Sequence, residues 1–369
     1  MKVTRRSLNA LIAGTPLAAG WTISQAAERK DSVIVGMILE PPGLDPTTAP
    51  AAAIGEIVHY NIFEGLTRVG VDGAVTPLLA ESWAITPDGK SYTFRLRKGI
   101  KFSDGSPMDS AAVKFSFDRA RAPGSTNKAK KAVFDNIARV TAEDPHTVIL
   151  TLNNADATLP FRLGENTAVI LHPNSVDQAA SKPVGTGPFR LESWAKGSAV
   201  TLVKSDAYRD AAKVALKKVT FRFINDPAAQ VAALLAGDID GMPRFGALQA
   251  LKQFQSDSRF TVEMGSTAGK GVLAINNRKK PFDDVRVRRA ISHAIDRKAF
   301  IDGAQEGLGK PIGSHFAPTD NGYVDLTGKY PHDVEKANAL LKEAGITASL
   351  NVTLTLPPPP YAQIGRAHV

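Results

Sequence analysis

Few residues of this chain are placed to do covalent or metal chemistry. Its seven histidines are scattered, with no HExxH pattern and no pair at helical spacing, so no recognisable set of zinc ligands is present. The absence of cysteine excludes disulfides, thiolate nucleophiles, iron–sulfur clusters and lipid attachment to an N-terminal cysteine. No GxSxG motif occurs, so the nucleophile pattern of the α/β-hydrolases is missing as well.

Two glycine-rich segments are similar to phosphate-binding loops only superficially. In Gly265–Gly271 (GSTAGKG) the glycine spacing is one residue short, and Gly271 stands where a hydroxyl residue would hold magnesium. The GTGPF segment at 185–189 lacks the third glycine of a dinucleotide-binding loop. Two pairs of neighbouring acids are typical of turns and helix N-caps: Asp238 with Asp240, and Asp283 with Asp284. We therefore predict that the protein is not an enzyme and needs no metal or cofactor.

The elements that position these residues alternate between strands and helices, which predicts a mixed α/β fold with at least three substructures. Short apolar or alternating runs predict strands at 33–39, 92–96, 147–152, 189–194, 199–204, 219–224, 271–275 and 350–356. Amphipathic segments predict helices at 51–63, after Asp109 through Phe117, and at 228–236, 285–301 and 334–344. Asp226 with Pro227 and Asp283 are the expected starts of two of these helices.

The first 26 residues are typical of a cleaved export signal. Arg5 and Arg6 give a basic start, and the apolar stretch Leu8–Ile23 is too short and too often interrupted to span a membrane. Ser24 and Ala26 form a small-x-small site, so we expect cleavage after Ala26. The paired arginines favour the twin-arginine route for folded proteins, although a Sec signal can also carry two arginines. Either route places the mature protein outside the cytoplasm.

The formal charge of +9 is spread along the chain. No basic stripe with interleaved aromatic residues occurs, and no nucleic-acid motif is present. We interpret these charges as solvated surface and expect no nucleic-acid partner.

Five blocks, in order, resemble one known family. They are PGLDP at 42–46, IFEGLTRVG at 62–70 followed by the 80–108 block, VGTGPFRLESW at 184–194, LLAGDIDG at 234–241 and LAINNRKKPFDDVRVRRAISHAIDR at 273–297. The family is the bacterial extracytoplasmic solute-binding proteins of family 5, which bind oligopeptides, dipeptides or nickel for ABC transporters.

The resemblance implies a periplasmic binding protein-like clamshell of type II, in the three-substructure form of the peptide binders. Lobe I would comprise 31–70 and 182–276, lobe II 71–181, and lobe III 277–362. A peptide or small-molecule ligand would bind between lobes I and III, and closure would bury it. The expected protein is a soluble periplasmic monomer, not a lipoprotein, that delivers its ligand to the permease subunits at the inner membrane.

The resemblance also suggests which residues carry the function. Ligand contacts are expected from Pro42, Gly43 and Leu44 in the opening loop, from Asn127 in lobe II, and from Asn276 and Asn277 at the start of lobe III. Gly185 and Gly187 either serve as a hinge at the crossing between lobes or form a tight turn.

Ligand and role remain open at the level of sequence. Nickel, haem and opine-like solutes are alternatives to peptides, and a sensor or chaperone could use the same fold. Family members extend well beyond this length, and the aspartate that commonly pairs with a peptide's amino terminus has no counterpart here. Residues 363–369 resemble translated sequencing adaptor, so we expect a C-terminally truncated chain with a non-native tail.

Overall fold

The structure is a computed structural model that describes residues 30–49, 51–265, 267, 269–304, 306–320, 322–349 and 352–355. The strands are β1 (Ser32–Met37), β2 (Thr67–Val69), β3 (Val75–Pro77), β4 (Ala80–Ile85), β5 (Ser91–Leu96), β6 (Ile137–Asp144), β7 (Thr147–Leu152), β8 (Phe189–Ala195), β9 (Ala199–Lys204) and β10 (Lys218–Phe223). The helices are α1 (Ala52–Val58), α2 (Ser110–Arg121), α3 (Leu159–Arg162), α4 (Pro227–Ala236), α5 (Leu251–Ser256), α6 (Val285–Ala294), α7 (Arg297–Ala304) and α8 (Val334–Glu343). The predicted export signal, with its cleavage site at Ala26, and the predicted tail 363–369 lie outside the described residues.

One four-stranded sheet joins the start of the chain to residues 189–223. Its strand order is β1-β10-β9-β8, with β1 parallel to β10 and the other neighbours antiparallel. Val33 pairs with Val219 and Val35 with Phe221, so apolar side chains of both strands share one face. This face and the buried side of α1 belong to one hydrophobic core.

A second four-stranded sheet, entirely antiparallel, lies between the two halves of the first along the chain. Its order is β4-β5-β7-β6. On β5, Tyr92 and Phe94 are buried and Arg95 is exposed, which confirms the predicted half-buried strand. The Asp109 side chain accepts hydrogen bonds from the first N–H groups of α2, whose Phe117 joins the core of this sheet.

Helix α4 begins and ends where its sequence predicts. The Asp226 carboxylate accepts a hydrogen bond from the Ala229 N–H at 2.7 Å, and Pro227 occupies the first turn. Gly237 ends the helix with a φ of 75°, a conformation that a glycine adopts without steric strain.

Two predicted helices have different bounds in the structure. The helix predicted at 51–63 ends at Val58, because Tyr60 has a φ of 60° and the N–H groups of Ile62 and Phe63 both turn back to the Val58 carbonyl. The helix predicted at 285–301 is two helices, α6 and α7, because the backbone at Ile295 is extended.

Other local predictions near the C-terminal part were also wrong. The N-cap of α6 is Asp284 rather than Asp283, because the Asp284 carboxylate accepts the Arg286 N–H at 2.7 Å. Residues 271–275 form no strand, since they pair with no other described segment, and Val272 is exposed. Of the strand predicted at 350–356, only 352–355 are described, and they are not in a strand.

Candidate functional site

The opening loop after β1 is hydrogen-bonded to Ala180, which follows the second sheet along the chain. Leu44 is fully buried, and its N–H donates to the Ala180 carbonyl at 2.9 Å. Gly43 lies against the same residue, since a β-carbon on Gly43 would be 3.5 Å from the Ala180 Cβ. Pro42 is exposed. The loop therefore has a fixed base and presents Pro42 to solvent.

A charged contact ties this loop to α2. The buried carboxylate of Asp45 accepts hydrogen bonds from the N–H and the hydroxyl of Thr47, at 2.8 and 2.6 Å. Arg119 of α2 donates to the Thr47 hydroxyl at 2.8 Å and approaches the second carboxylate oxygen of Asp45 at 3.4 Å. A buried charge of this kind is stable only with such partners, so the contact fixes the loop relative to α2.

The first cavity opens beside this contact and has a volume of about 220 Å³. It is lined by Thr47, Arg119, Ala122, Gly124, Ser125, Thr126 and Asn127. Hydroxyl, guanidinium and amide groups thus dominate its wall. Asn127 is one of the lining residues, whereas Pro42, Gly43 and Leu44 are not, and the ligand contacts expected of all four remain predictions.

The Asn127 side chain is itself held in place by the backbone around it. Its Nδ2 donates to the Thr167 carbonyl at 2.8 Å, and its Oδ1 accepts the Ala129 N–H at 2.8 Å. The residue is 7% exposed. These bonds define the shape of the cavity wall and give Asn127 a structural role in it, while direct contact with a ligand stays a prediction.

The second cavity was missed at the level of sequence. It has a volume of about 390 Å³ and lies at the end of α1, where His59, Tyr60, Val69, Phe161, Gly164, Glu165 and Asn166 line it. Asn166 precedes Thr167, whose carbonyl accepts the hydrogen bond from Asn127. These residues come from three segments that are far apart along the chain. The aromatic residues around 59–63 are the one feature of the sequence that could have indicated a site here.

The Tyr60 side chain is held in place in the second cavity by two hydrogen bonds. Its hydroxyl donates to the Gly164 carbonyl at 2.8 Å and accepts the Val69 N–H at 3.1 Å. The His59 ring stacks on the Tyr60 ring with centroids 3.8 Å apart. The left-handed backbone at Tyr60 is therefore maintained by tertiary contacts, as is common where a structure positions functional groups.

Burial determines the charges in the second cavity. Burial lowers the pKa of His59 to about 4, against an opposing effect of the Gly164 backbone and with a smaller contribution from the charge of Arg68, so its imidazole is neutral at neutral pH. Burial also raises the pKa of the Glu165 carboxyl, against a smaller opposing effect of Arg162. The cavity thus contains a neutral base and one partly desolvated acid.

Gly185 and Gly187 lie against the backbone that follows α1. A β-carbon on Gly185 would come within 2.0 Å of the Ile62 carbonyl oxygen, and one on Gly187 within 2.4 Å of the Asn61 oxygen. Neither glycine has a positive φ. Close packing therefore explains both glycines, and their predicted hinge role remains untested.

Between these glycines, Thr186 joins a buried ion pair. Arg209 donates to both carboxylate oxygens of Glu64, at 2.7 and 2.8 Å, and the Thr186 hydroxyl donates to one of them at 3.0 Å. Glu64 is 2% exposed. This bidentate pair fixes the crossing at 184–189 to the segment that follows α1.

The two asparagines at the start of the predicted third lobe belong to neither cavity wall. Asn276 and Asn277 are exposed and line neither cavity. The Asn276 side chain accepts the Arg278 N–H at 3.1 Å, which makes it a turn residue. Their predicted contact with a ligand remains a prediction.

One cluster has the residue types of a catalytic triad. His172 Nε2 lies 3.0 Å from the Ser106 hydroxyl and 3.3 Å from Asp104. The Asn174 N–H donates to His172 Nδ1, so the proton resides on Nε2. An imidazole in this tautomer donates to the serine and cannot accept its proton, and the acid contacts the wrong nitrogen. The cluster therefore stabilises the local structure and is not arranged as a catalytic triad.

The described residues contain no group of three His, Cys, Asp or Glu side chains that could hold a metal ion. Within the same residues, no helix combines the length and the apolar character that a bilayer span requires.

Curated relatives are similar over most of the chain. The glutathione-binding protein GsiB of Escherichia coli K12 is 30% identical over 356 residues, covering 95% of this chain and 68% of the relative. Di/tripeptide-binding protein 1 of Pseudomonas aeruginosa is 31% identical over 342 residues, covering 85% of this chain and 63% of the relative. The chain thus spans about two thirds of the length of these relatives.

Solved structures share the fold. The periplasmic binding protein AgaA from A. tumefaciens R10, in complex with agropinic acid, has a TM-score of 0.75 and 33% identity, covering 85% of this chain and 64% of that chain. DppA from Helicobacter pylori, in complex with the peptide STSA, has a TM-score of 0.75 and 29% identity, covering 85% and 66%. These likenesses confirm the periplasmic binding protein fold.

The family model for bacterial extracellular solute-binding proteins, family 5, matches residues 74–364. This is a family of solute-binding proteins that are not enzymes. The chain therefore belongs to the bacterial extracellular solute-binding proteins of family 5, as its five sequence blocks predict.

Proposed function

We propose that this protein is the periplasmic solute-binding component of an ABC importer, which captures peptides or peptide-like solutes and delivers them to the membrane permease. Family membership supports the class of function, and two relatives named for glutathione and for di- and tripeptides support the class of solute. The observation that carries the proposal is the polar first cavity at the junction of the opening loop and α2.

The clamshell division is part of the same proposal. Lobe I comprises 31–70 and 182–276, lobe II 71–181, and lobe III 277–362. Two separate hydrophobic cores support the first two lobes, one under the sheet of β1 and β10 and one under the antiparallel sheet of β4 to β7. With these bounds, the residues that line the two cavities belong to lobes I and II, and none belongs to lobe III. The cavities therefore lie outside the cleft between lobes I and III that the family resemblance implies.

The first cavity has the groups that a peptide requires. A peptide backbone presents both N–H donors and carbonyl acceptors, and the cavity offers hydroxyls that do either and a guanidinium that donates. Arg119 already contacts Asp45 and Thr47, so its position does not depend on the solute. A wall fixed in advance lowers the entropy lost on binding.

Thermal-shift and calorimetric titration with di- to pentapeptides test the proposal. We expect at least one peptide class to raise the melting temperature in proportion to the logarithm of its concentration. Thr126→Ala should weaken that peptide about tenfold, the equivalent of about 1.4 kcal/mol for one well-placed hydrogen bond. The exposed Thr76→Ala is the matched control. Absence of saturable binding by every peptide and amino-acid conjugate would refute the proposal.

Opine-like acids are a second candidate solute class. The observation that favours them is the likeness, at 33% identity, to the binding protein crystallised with agropinic acid. The same titration with agropinic and mannopinic acids separates the two classes, because only the preferred class should saturate at micromolar concentration.

A further inference from the structure

The opening loop begins at a carboxylate that is bonded to the β8–β9 hairpin. Glu40 stands two residues before Pro42, and its Oε1 accepts the indole N–H of Trp194 at 2.8 Å. Its Oε2 accepts the backbone N–H of Gly197 at 3.0 Å. One carboxylate thus binds both a side chain of β8 and the backbone of the turn that follows β8, which attaches the start of the loop to the hairpin.

The hairpin is itself fixed by the rest of its sheet. Trp194 lies in the paired part of β8, and Gly197 completes the turn with a φ of 73°. The Ser198 carbonyl accepts the Phe223 N–H at 2.8 Å, which ties the turn to the end of β10. The half-buried indole N–H needs an acceptor, and a charged acceptor forms the stronger hydrogen bond. The sheet therefore determines where the Glu40 carboxylate lies.

The other end of the loop is held by separate contacts. The Leu44 N–H donates to the Ala180 carbonyl at 2.9 Å, and the Asp45 carboxylate lies 3.4 Å from the Arg119 guanidinium. Residues 41–43 lie between the two attached ends, and two of them are prolines, whose ring fixes φ. A segment this short has few conformations, so a solute that contacts it loses little entropy in ordering it.

We propose that Glu40 is a positioning residue for solute binding, because its two hydrogen bonds hold Pro42 and Gly43 in the conformation that the solute contacts. Pro42 is exposed and available for such a contact. Glu40, Trp194 and Gly197 all belong to lobe I as proposed, which is one of the two lobes expected to enclose the solute. The inference rests on the proposed function and on the contacts expected of Pro42 and Gly43.

Calorimetric titration of Glu40→Ala, with the di- to pentapeptide that binds the parent most tightly, tests the inference. We expect the variant to bind about tenfold more weakly, because a charge-assisted hydrogen bond contributes about this factor and the freed loop must be ordered by the solute. Glu192→Ala is the matched control, since this exposed glutamate of β8 pairs at the surface with Lys218 and should keep the parent affinity. Circular dichroism verifies that each variant is folded. An unchanged affinity in Glu40→Ala would overturn the inference and leave the proposed function intact.

A double-variant cycle distinguishes positioning from general destabilisation. Trp194→Phe removes the indole donor and keeps an aromatic ring, so it should weaken the same peptide as well, and it tests the inference by itself if Glu40→Ala does not fold. Once Glu40→Ala has removed the acceptor, adding Trp194→Phe should change the affinity little further. Two effects that multiply would show that the substitutions act independently, and would overturn the inference.

Hydrogen exchange separates failure of this inference from failure of the proposed function. If no peptide and no opine-like acid binds the parent, the proposed function fails, and the Leu44 amide decides the positioning role alone. This amide donates to Ala180, so its exchange reports opening of the loop. Exchange that is about tenfold faster in Glu40→Ala than in the parent and in Glu192→Ala supports the positioning role, and equal exchange in all three overturns it.

Discussion

Replacing Gly185 by alanine tests whether this position is a packing contact. The new β-carbon would lie 2.0 Å from the Ile62 carbonyl oxygen and 2.8 Å from its carbon. Both atoms are backbone, so no flexible side chain can move away. Overpacking of this kind costs about 1–3 kcal/mol.

The displaced segment also carries backbone hydrogen bonds. The Gly187 N–H donates to the Ile62 carbonyl and the Phe189 N–H to the Asn61 carbonyl, each at 2.9 Å. Losing one of them adds about 1 kcal/mol, so the total destabilisation should be about 2–4 kcal/mol. For a domain of this size that lowers the melting temperature by about 5–15 °C.

Differential scanning calorimetry measures the effect, with Gly124→Ala as the control. Gly124 has no atom within 4 Å of the added β-carbon and no positive φ, so its variant should melt within about 2 °C of the parent. If Gly185→Ala melts together with the control, the close approach does not exist in solution. A glycine needed only for hinge freedom would give that outcome.

Two other predictions concern histidines. The pKa of His59 is about 4 in the folded protein and about 6.5 in the unfolded chain, so the unfolded state binds more protons between these two pH values. The contribution of His59 to the free energy of unfolding is therefore complete above pH 6.5 and falls as the pH drops towards 4. Urea unfolding should show that His59 contributes a loss of about 2–3 kcal/mol in the free energy of unfolding between pH 7.5 and 4.5, and that His59→Asn removes this loss. If the free energy of unfolding of the variant depends on pH as steeply as that of the parent, the imidazole is not buried as described. Ser106 should not be labelled by a fluorophosphonate probe, because His172 donates to its hydroxyl; mass-spectrometric detection of a Ser106 adduct that His172→Ala abolishes would show that the cluster is catalytic.

Local sequence patterns were sufficient where neighbours along the chain determine the structure. Strand β7 has the predicted bounds, and α4 has the predicted caps, Asp226 and Gly237, because caps and alternation are encoded within a few residues. The early end of α1 could not be predicted, because it depends on Tyr60 bonding to Gly164, far along the chain. The break at Ile295 has no glycine or proline to signal it.

The two cavities also differ in how far the sequence predicts them. The family resemblance directed attention to Pro42, Gly43, Leu44 and Asn127, and of these four Asn127 lines the first cavity. The second cavity combines residues near 60, 69 and 161–166, and no motif links them.

The parallel pairing of β1 with β10 has a consequence for biosynthesis. Strand β1 leaves the ribosome early, but its described partner at Lys218–Phe223 is made only after the whole sheet of β4 to β7. That antiparallel sheet lies within residues 80–152 and pairs segments close along the chain, so we expect it to form first. Until β10 is synthesised, the apolar strand β1 lacks this partner and can pair with the wrong segment or with another chain. An exporter that accepts only folded cargo would therefore have to wait for this late strand.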